Sequence, residues 1–264
     1  MTELCPLGSG SSGNSTLVRS GGTLSRTTLL VDAGLSCKAI CTALEQAGSH
    51  YEELDAILLT HEHSDHIKAL PVLLKKLSCP VYATEAVLDY ISKNLKIPAH
   101  IPLVPLSEDS FTIGDFQVKA FPTPHDSVGS VGYQFRTGED QFLAVATDIG
   151  HMTPEIMEHL LPCKAVLLES NYDEGMLMCS SYPYTLKRRI VSSKGHLSNI
   201  DCAAAALTLA ENRLEHLILG HLSENNNLPE LAYSTTRNVL DNAGFHHIDL
   251  QVAQRSQVSK AVHF

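Results

Sequence analysis

Residues 61–66 read His-Glu-His-Ser-Asp-His, and no other feature restricts the chain as much. Three imidazoles and a carboxylate so close together are costly to bury and unusual on a surface. A divalent cation is the partner that such donors suit. The hexapeptide follows Ala56–Leu59, a short apolar run of strand character. Alternation along extended backbone points His61 and His63 the same way, so both can ligate one metal. Asp65 and His66 follow as the chain turns, which aims them at a second site beside the first. The donor types suit Zn²⁺ or Mn²⁺, with Fe also compatible.

Further donors close other apolar runs. His125 follows Phe116–Phe121 within Pro-Thr-Pro-His, Asp148 follows Phe142–Ala146, and His221 follows Leu217–Leu219. Singly, each has an ordinary reading as a hydrogen-bonded or surface residue. Together, after successive strands, they make a candidate ligand set with His61, His63, Asp65 and His66.

Strand-like and helical patterns alternate along the chain. Strands are expected at Ser15–Val18, Thr27–Val31, Ala56–Leu59, Val81–Ala83 and Phe116–Phe121. More are expected at Val131–Phe135, Phe142–Ala146, Ala165–Leu168 and Leu217–Leu219. Helices are expected at Cys37–Ala47, Pro71–Leu77, Ala86–Leu95, Pro154–Leu160, Pro183–Val191, Ile200–Glu211 and Pro229–Ala243. Pro71 implies that Asp65–Ala69 is a turn before the helix, or that the helix kinks there. No linker divides the chain, so residues 1–264 read as one domain. There is also an internal echo. Thr28–Gly34 resembles Leu143–Gly150, and Ala56–His61 resembles Leu217–His221. Two similar halves delivering polar ligands to one shared edge imply an α/β sandwich of two sheets with helices outside.

Composition narrows the function classes. The formal charge of −10 excludes a broad basic surface as the means of holding nucleic acid, though not a local basic patch. Seven cysteines with no paired framework read as reduced thiols, and Cys37 and Cys41 can share a helical face. The opening MTELCPLGSG lacks a basic stretch followed by an apolar run, so no signal peptide is expected. No run approaches the roughly 18 apolar residues of a membrane span. A cytoplasmic protein without a membrane partner is the expectation, with its oligomeric state open.

These motifs resemble the metallo-β-lactamase superfamily. Asp32 in Val-Asp-Ala-Gly matches the first family motif, and His61, His63, Asp65 and His66 match the second. His125, Asp148 and His221 match the third to fifth. The resemblance implies a four-layer αββα sandwich of two mixed sheets. It also implies that His61, His63 and His125 bind one ion, that Asp65, His66 and His221 bind another, and that Asp148 bridges them. Asp32 would orient the metal loop through a ligand. LGSGSSGNST (7–16), ESNYDEGML (169–177), YPYTLKRRI (182–190), GHLSN (195–199) and HLSENNN (221–227) are similar to the YycJ/WalJ-like branch. Tyr172 departs from it, standing where that branch is expected to carry His.

GHLSN has two open readings. Gly195 allows a turn, and Ser198 or Asn199 can cap the following helix. Alternatively, that helix N-terminus and His196 clamp a phosphate, with Lys187, Arg188, Arg189 and Lys194 just upstream. The Gly8–Ser15 loop lacks both the lysine of a Walker motif and dinucleotide-binding spacing, so a tight turn is expected, from which Asn14 can reach the site.

The expected function is dinuclear hydrolysis of a phosphodiester, most naturally in DNA rather than RNA. Two cations would share a bridging water and lower its pKa. Catalytic roles fall to Asp65, Asp148 and His196, the last stabilising phosphoryl charge or protonating the leaving oxygen. Substrate contacts fall to His196, Ser198, Asn199, Asn14, Lys187, Arg188 and Arg189. The branch resemblance implies a DNA exonuclease acting from the 5′ end. A glyoxalase II-type thioesterase and a metal-containing sensing module without turnover are the alternatives.

Overall fold

Strands whose odd and even residues are both apolar need cover on both faces, which a layered fold supplies. The computed structural model describes residues 2–21, 26–138 and 141–264. The first sheet holds β1 (Glu3–Gly8), β2 (Ser15–Gly21), β3 (Arg26–Val31), β4 (Ala56–Leu58), β5 (Val81–Ala83) and β6 (Leu103–Pro105). The second holds β7 (Phe111–Ile113), β8 (Phe116–Pro122), β9 (Val131–Arg136) and β10 (Phe142–Ala146). It continues with β11 (Ala165–Glu169), β12 (His216–Gly220) and β13 (Asp249–Val252), while β14 (Val262–His263) returns to the first sheet beside β1. The spatial orders are β14-β1-β2-β3-β4-β5-β6 and β13-β12-β11-β10-β9-β8-β7.

Alternation assigns the faces. Leu29, Val31 and Leu58 meet Leu143, Val145 and Leu167 between the sheets. Leu30 and Ile57 face outward under α1 (Cys37–Gln46), α2 (Ser64–Ile67), α3 (Leu70–Leu73) and α4 (Glu85–Asn94). Ala144, Val166 and Leu219 face outward under α5 (Pro154–Leu160), beyond which lie α6 (Glu174–Cys179) and α7 (Tyr184–Ile190). The same outer face is covered by α8 (Asn199–Ala210) and α9 (Pro229–Asn242). The result is the αββα sandwich of two mixed sheets expected from the sequence. No helix among the described residues is long and apolar enough to cross a membrane.

Helix starts follow local chemistry. Ser36, Thr84, Thr153, Asp173 and Ser198 each accept a backbone N–H from the first turn of the helix they cap. The expected helix Pro71–Leu77 is instead the short α3, with α2 before it across Lys68 and Ala69. The short β6, β7, β13 and β14 were not expected; at two to four residues they carry too little alternation to register.

The internal echo becomes topological, with one correction. Both sheets run as three antiparallel pairings followed by three parallel ones. Counting from these edges, β3 corresponds to β10, so Asp32 and Asp148 are counterparts. The counterpart of β4 is β11, however, and not β12. Ala56–His61 (AILLTH) therefore matches Ala165–Ser170 (AVLLES) in position, which sets Thr60 against Glu169.

One close approach holds the metal loop to the first sheet. Asn14 N–H donates to Asp65 O (2.8 Å), Gly34 N–H to Asn14 O (2.8 Å), and Ala33 N–H to His66 O (2.7 Å). A Cβ at Gly34 would stand 1.5 Å from Asp65 O, so only glycine fits. Gly34→Ala should lower unfolding free energy by roughly 1–3 kcal/mol or more and reduce metal bound per chain. Urea unfolding and metal analysis check this; an unchanged midpoint with full metal content would show that the Asp65 carbonyl can retreat.

Candidate metal centre

Three side chains are delivered by strained backbone. Among the described residues, the non-glycine positions with positive φ are Asp32 (62°), Asp148 (58°) and His221 (56°). They lie just beyond the C-terminal ends of β3, β10 and β12. Asp and His tolerate this region better than most residues, and the strain costs on the order of 1–3 kcal/mol each. Such cost persists where the turn aims a functional group.

The expected donors converge. The His61 and His63 ring centroids are 4.6 Å apart, and each lies 5.1 Å from that of His125. Asp65 Oδ2 is 3.5 Å from both His66 Nε2 and His221 Nε2. Asp148 lies between the two groups, with Oδ2 3.3 Å from His66 Nε2 and Oδ1 3.6 Å from His125 Nε2 and 3.5 Å from His221 Nε2. His61, His63 and His125 can hold one ion, and Asp65, His66 and His221 another. His61 Nε2, Asp148 Oδ2 and His221 Nε2 are buried without a hydrogen-bond partner. Orphaned lone pairs pointing at one another are what a cation site requires, so the residues fit divalent metal.

Behind these donors, other polar groups fix them. Asp32 Oδ2 accepts from His66 Nδ1 (2.7 Å) and from Thr60 Oγ1 (2.9 Å), and Oδ1 accepts Thr60 N–H (2.8 Å). Asp32 thus touches a ligand's far nitrogen. Gly195 O takes the same place behind His125 Nδ1 (2.9 Å).

Glu169 was not anticipated. It is fully buried at the end of β11. Oε1 accepts from His196 Nδ1 (2.7 Å) and His221 Nδ1 (2.9 Å), while Oε2 accepts the N–H of Ile149 (2.7 Å) and Leu197 (3.1 Å). Its distance would also admit it to a metal group with Asp148, His196 and His221. Its contacts with His221 run through Nδ1, though, opposite the Nε2 that faces Asp65 and Asp148, so it serves as an orienting carboxylate. The one signal in the sequence was its place in ESNYDEGML, at a strand end.

The proposed substrate contacts divide. His196 is partly exposed, with Nδ1 3.8 Å from Asp148 Oδ1. It lines a cavity of 170 Å³ together with Arg189. Ser198 and Asn199 are corrected: both side chains are buried. Ser198 Oγ accepts from Asp201 N–H as the α8 cap, and Asn199 bonds Ser170 and Asn227. Asp201 already sits in the first turn of α8, which disfavours an anion there. Lys187 Nζ is spent on the carbonyls of Met178 and Ser180, whereas Arg188 is exposed outside that cavity. Arg189 pairs with Asp126. Asn14 is buried with Nδ2 3.1 Å from His66 Nε2. Tyr172 is buried against Leu177 and Ile190.

Known proteins agree with this architecture. The family model described as Beta-lactamase superfamily domain matches residues 27–222. Exodeoxyribonuclease YycJ of Bacillus anthracis is 38% identical over 240 residues, 90% of this chain and 89% of that protein. Exodeoxyribonuclease WalJ of Streptococcus pneumoniae is 38% identical over 243 residues, 90% and 87% of the two chains. The metallo-β-lactamase fold protein YhfI of Bacillus subtilis superposes with a TM-score of 0.72 at 18% identity, covering 98% of each chain. The fold and clustered donors define a metal-dependent hydrolase. The chain belongs to the β-lactamase superfamily, in its YycJ/WalJ-like branch.

Electrostatics differ between the two donor groups. Burial opposes an imidazolium at His66, but Asp148 and Asp32 lift it well above the ordinary histidine value. His221, likewise opposed by burial, is raised to about 10 by Asp148, by the Asp65 carboxylate 3.5 Å from Nε2 and by the hydrogen bond to Glu169. His61 and His125 shift down, chiefly because they are buried. At neutral pH, His66 and His221 hold protons that a cation must displace, while His61 and His125 stand ready. Raised pKa values mean proton competition weakens as pH rises, so affinity increases with pH at the His66/His221 side. Metal loading near pH 7 should release about two protons per chain. Calorimetry in buffers of different ionisation heat measures this, and a binding heat independent of buffer would refute it.

Proposed function

We propose that the chain is a nuclease that hydrolyses DNA phosphodiesters from a 5′ end, with two divalent ions, Zn²⁺ or Mn²⁺, per chain. The observation that carries this reading is that YycJ and WalJ, each matched along 90% of this chain, are exodeoxyribonucleases. His61, His63 and His125 hold one ion in this proposal, Asp65, His66 and His221 the other, with Asp148 between them. When bound, such ions supply Lewis acidity at phosphoryl oxygens and a nucleophile at neutral pH. The domain assignment is part of the proposal: residues 1–264 act as one unit, since side chains from both sheets form the cluster. The seven cysteines are all free thiols, which suits a reducing compartment.

The chain's own residues then have distinct tasks. Burial raises the cost of an anionic Glu169, but His196, with its hydrogen bond, outweighs that and keeps the carboxyl ionised. An ionised carboxylate only accepts, so Nδ1 of His196 carries the proton and Nε2 is left for a substrate oxygen. The second Glu169 oxygen is tied to two backbone N–H groups, so the His196 ring cannot swing from Asp148 without breaking that network. Asp32 does the same for His66. With a second proton on Nε2, His196 is placed to stabilise phosphoryl charge or hand that proton to the leaving oxygen.

His196→Ala should retain its metals and lose roughly 10²–10⁴-fold in turnover of bis(p-nitrophenyl) phosphate. End-labelled single- and double-stranded DNA and RNA, incubated with Zn²⁺- or Mn²⁺-loaded wild type, identify the polymer and the end attacked. Full activity per folded, metal-loaded molecule of the variant would return GHLSN to the role of a helix cap. Absence of any DNA cleavage by wild type would remove the nuclease reading.

A further inference from the structure

We propose that the cleft beside His196 seats the terminal nucleotide of a DNA end, its base against Tyr182 and its phosphate on Arg189. The inference rests on the nuclease reading and adds how the end of the substrate is held. The cleft is 170 Å³ and open to solvent on one side, a scale that suits a single base. Its lining divides by chemistry. Tyr182, Leu186 and Ile190 supply an apolar side, whereas Ser11, Ser223 and Arg189 supply hydroxyls and a guanidinium. His196 lines it too, so a nucleotide seated there adjoins the donor cluster.

Tyr182 is fixed as a platform. It packs against the small core of Tyr172, Leu177 and Ile190, and its hydroxyl accepts from Asn225 Nδ2 at 2.9 Å. An immobilised ring loses little entropy when a base stacks on it, and any base offers a face to it. Arg189 is held in reserve. Its guanidinium is paired with Asp126, and the two side chains are 56% and 31% exposed, so the pair is weak enough to exchange. A phosphate offers the same fork two charged oxygens in place of one carboxylate. Asp126 in turn lies 3.4 Å from His125 Nε2, so the exchange occurs at the rim of the donor cluster.

The test uses metal-loaded enzyme and single- and double-stranded oligonucleotides that carry either a normal or an abasic 5′-terminal nucleotide. Tyr182→Ala should raise KM on the normal end roughly 5- to 100-fold, with kcat moved far less. Tyr182→Phe, which keeps the ring, should behave as wild type. Wild type should lose a similar factor on the abasic end, and Tyr182→Ala should no longer distinguish the two ends. Arg189→Gln should raise KM and flatten the salt dependence by about one unit of slope. Equal discrimination by wild type and Tyr182→Ala, or none by wild type, overturns the subsite while leaving the nuclease intact. Wild type that turns over bis(p-nitrophenyl) phosphate but no DNA overturns both.

Discussion

Five imidazoles and two carboxylates aimed at one another inside a protein interior are mutually tolerable only with positive charge among them. Protons on His66 and His221 supply it while the donors are free, and divalent cations replace those protons on loading. Everything around the cluster answers to this requirement. Asp32 and Glu169 place negative charge behind the imidazoles, Thr60 fixes a nitrogen of His61 (3.0 Å), and Gly195 O fixes one of His125. His61, His66, His125 and His221 are thereby held in one orientation. The orphaned lone pairs that remain mark where a cation fits.

The sheets explain how residues more than a hundred positions apart meet. Each presents its parallel strands with their C-terminal ends toward the same edge, where open α/β sheets bind ligands. Asp32 and Asp148 occupy equivalent corners of the two sheets, both in left-handed backbone. Thr60 and Glu169 follow at equivalent strand ends, and each reaches the Nδ1 atoms of two histidines. One half of the molecule uses a hydroxyl for this work and the other a carboxylate. The carboxylate half is also the one that leaves His196 partly exposed.

The donors were legible because metal chemistry restricts residue type and because each follows a strand. HxHxDH needs no tertiary context to be read, and His125, Asp148 and His221 gained weight from the apolar runs before them. Glu169 was invisible for the opposite reason. A single glutamate ending an apolar strand is unremarkable until its partners His196 and His221, distant in sequence, are known. Ser198 and Asn199 misled because a polar residue at a helix start suits a cap and a ligand contact equally well. Only burial separates the two uses. The echo of β4 was likewise set on the wrong strand: ending in His made β12 look like the match, whereas strand order gives β11.

The acidic balance of the chain does not oppose a polyanionic substrate at this site. Asp32, Asp148 and Glu169 count toward the formal −10, yet each is buried and hydrogen-bonded to, or within ion-pair distance of, an imidazole. A substrate approaching the cleft therefore meets the sum of the cluster, which is far less negative than its carboxylates alone and close to neutral once two cations replace the two protons. Arg189 stands at the rim and Arg188 and Lys194 lie exposed on the same segment, while Lys187 is tied to backbone carbonyls. The attraction for phosphate is thus concentrated within a few ångströms of the donors, and distant acidic surface is screened over a Debye length of about 8–10 Å in ordinary salt. For the proposed nuclease, this arrangement would hold a nucleic-acid end locally rather than coat the protein along the polymer.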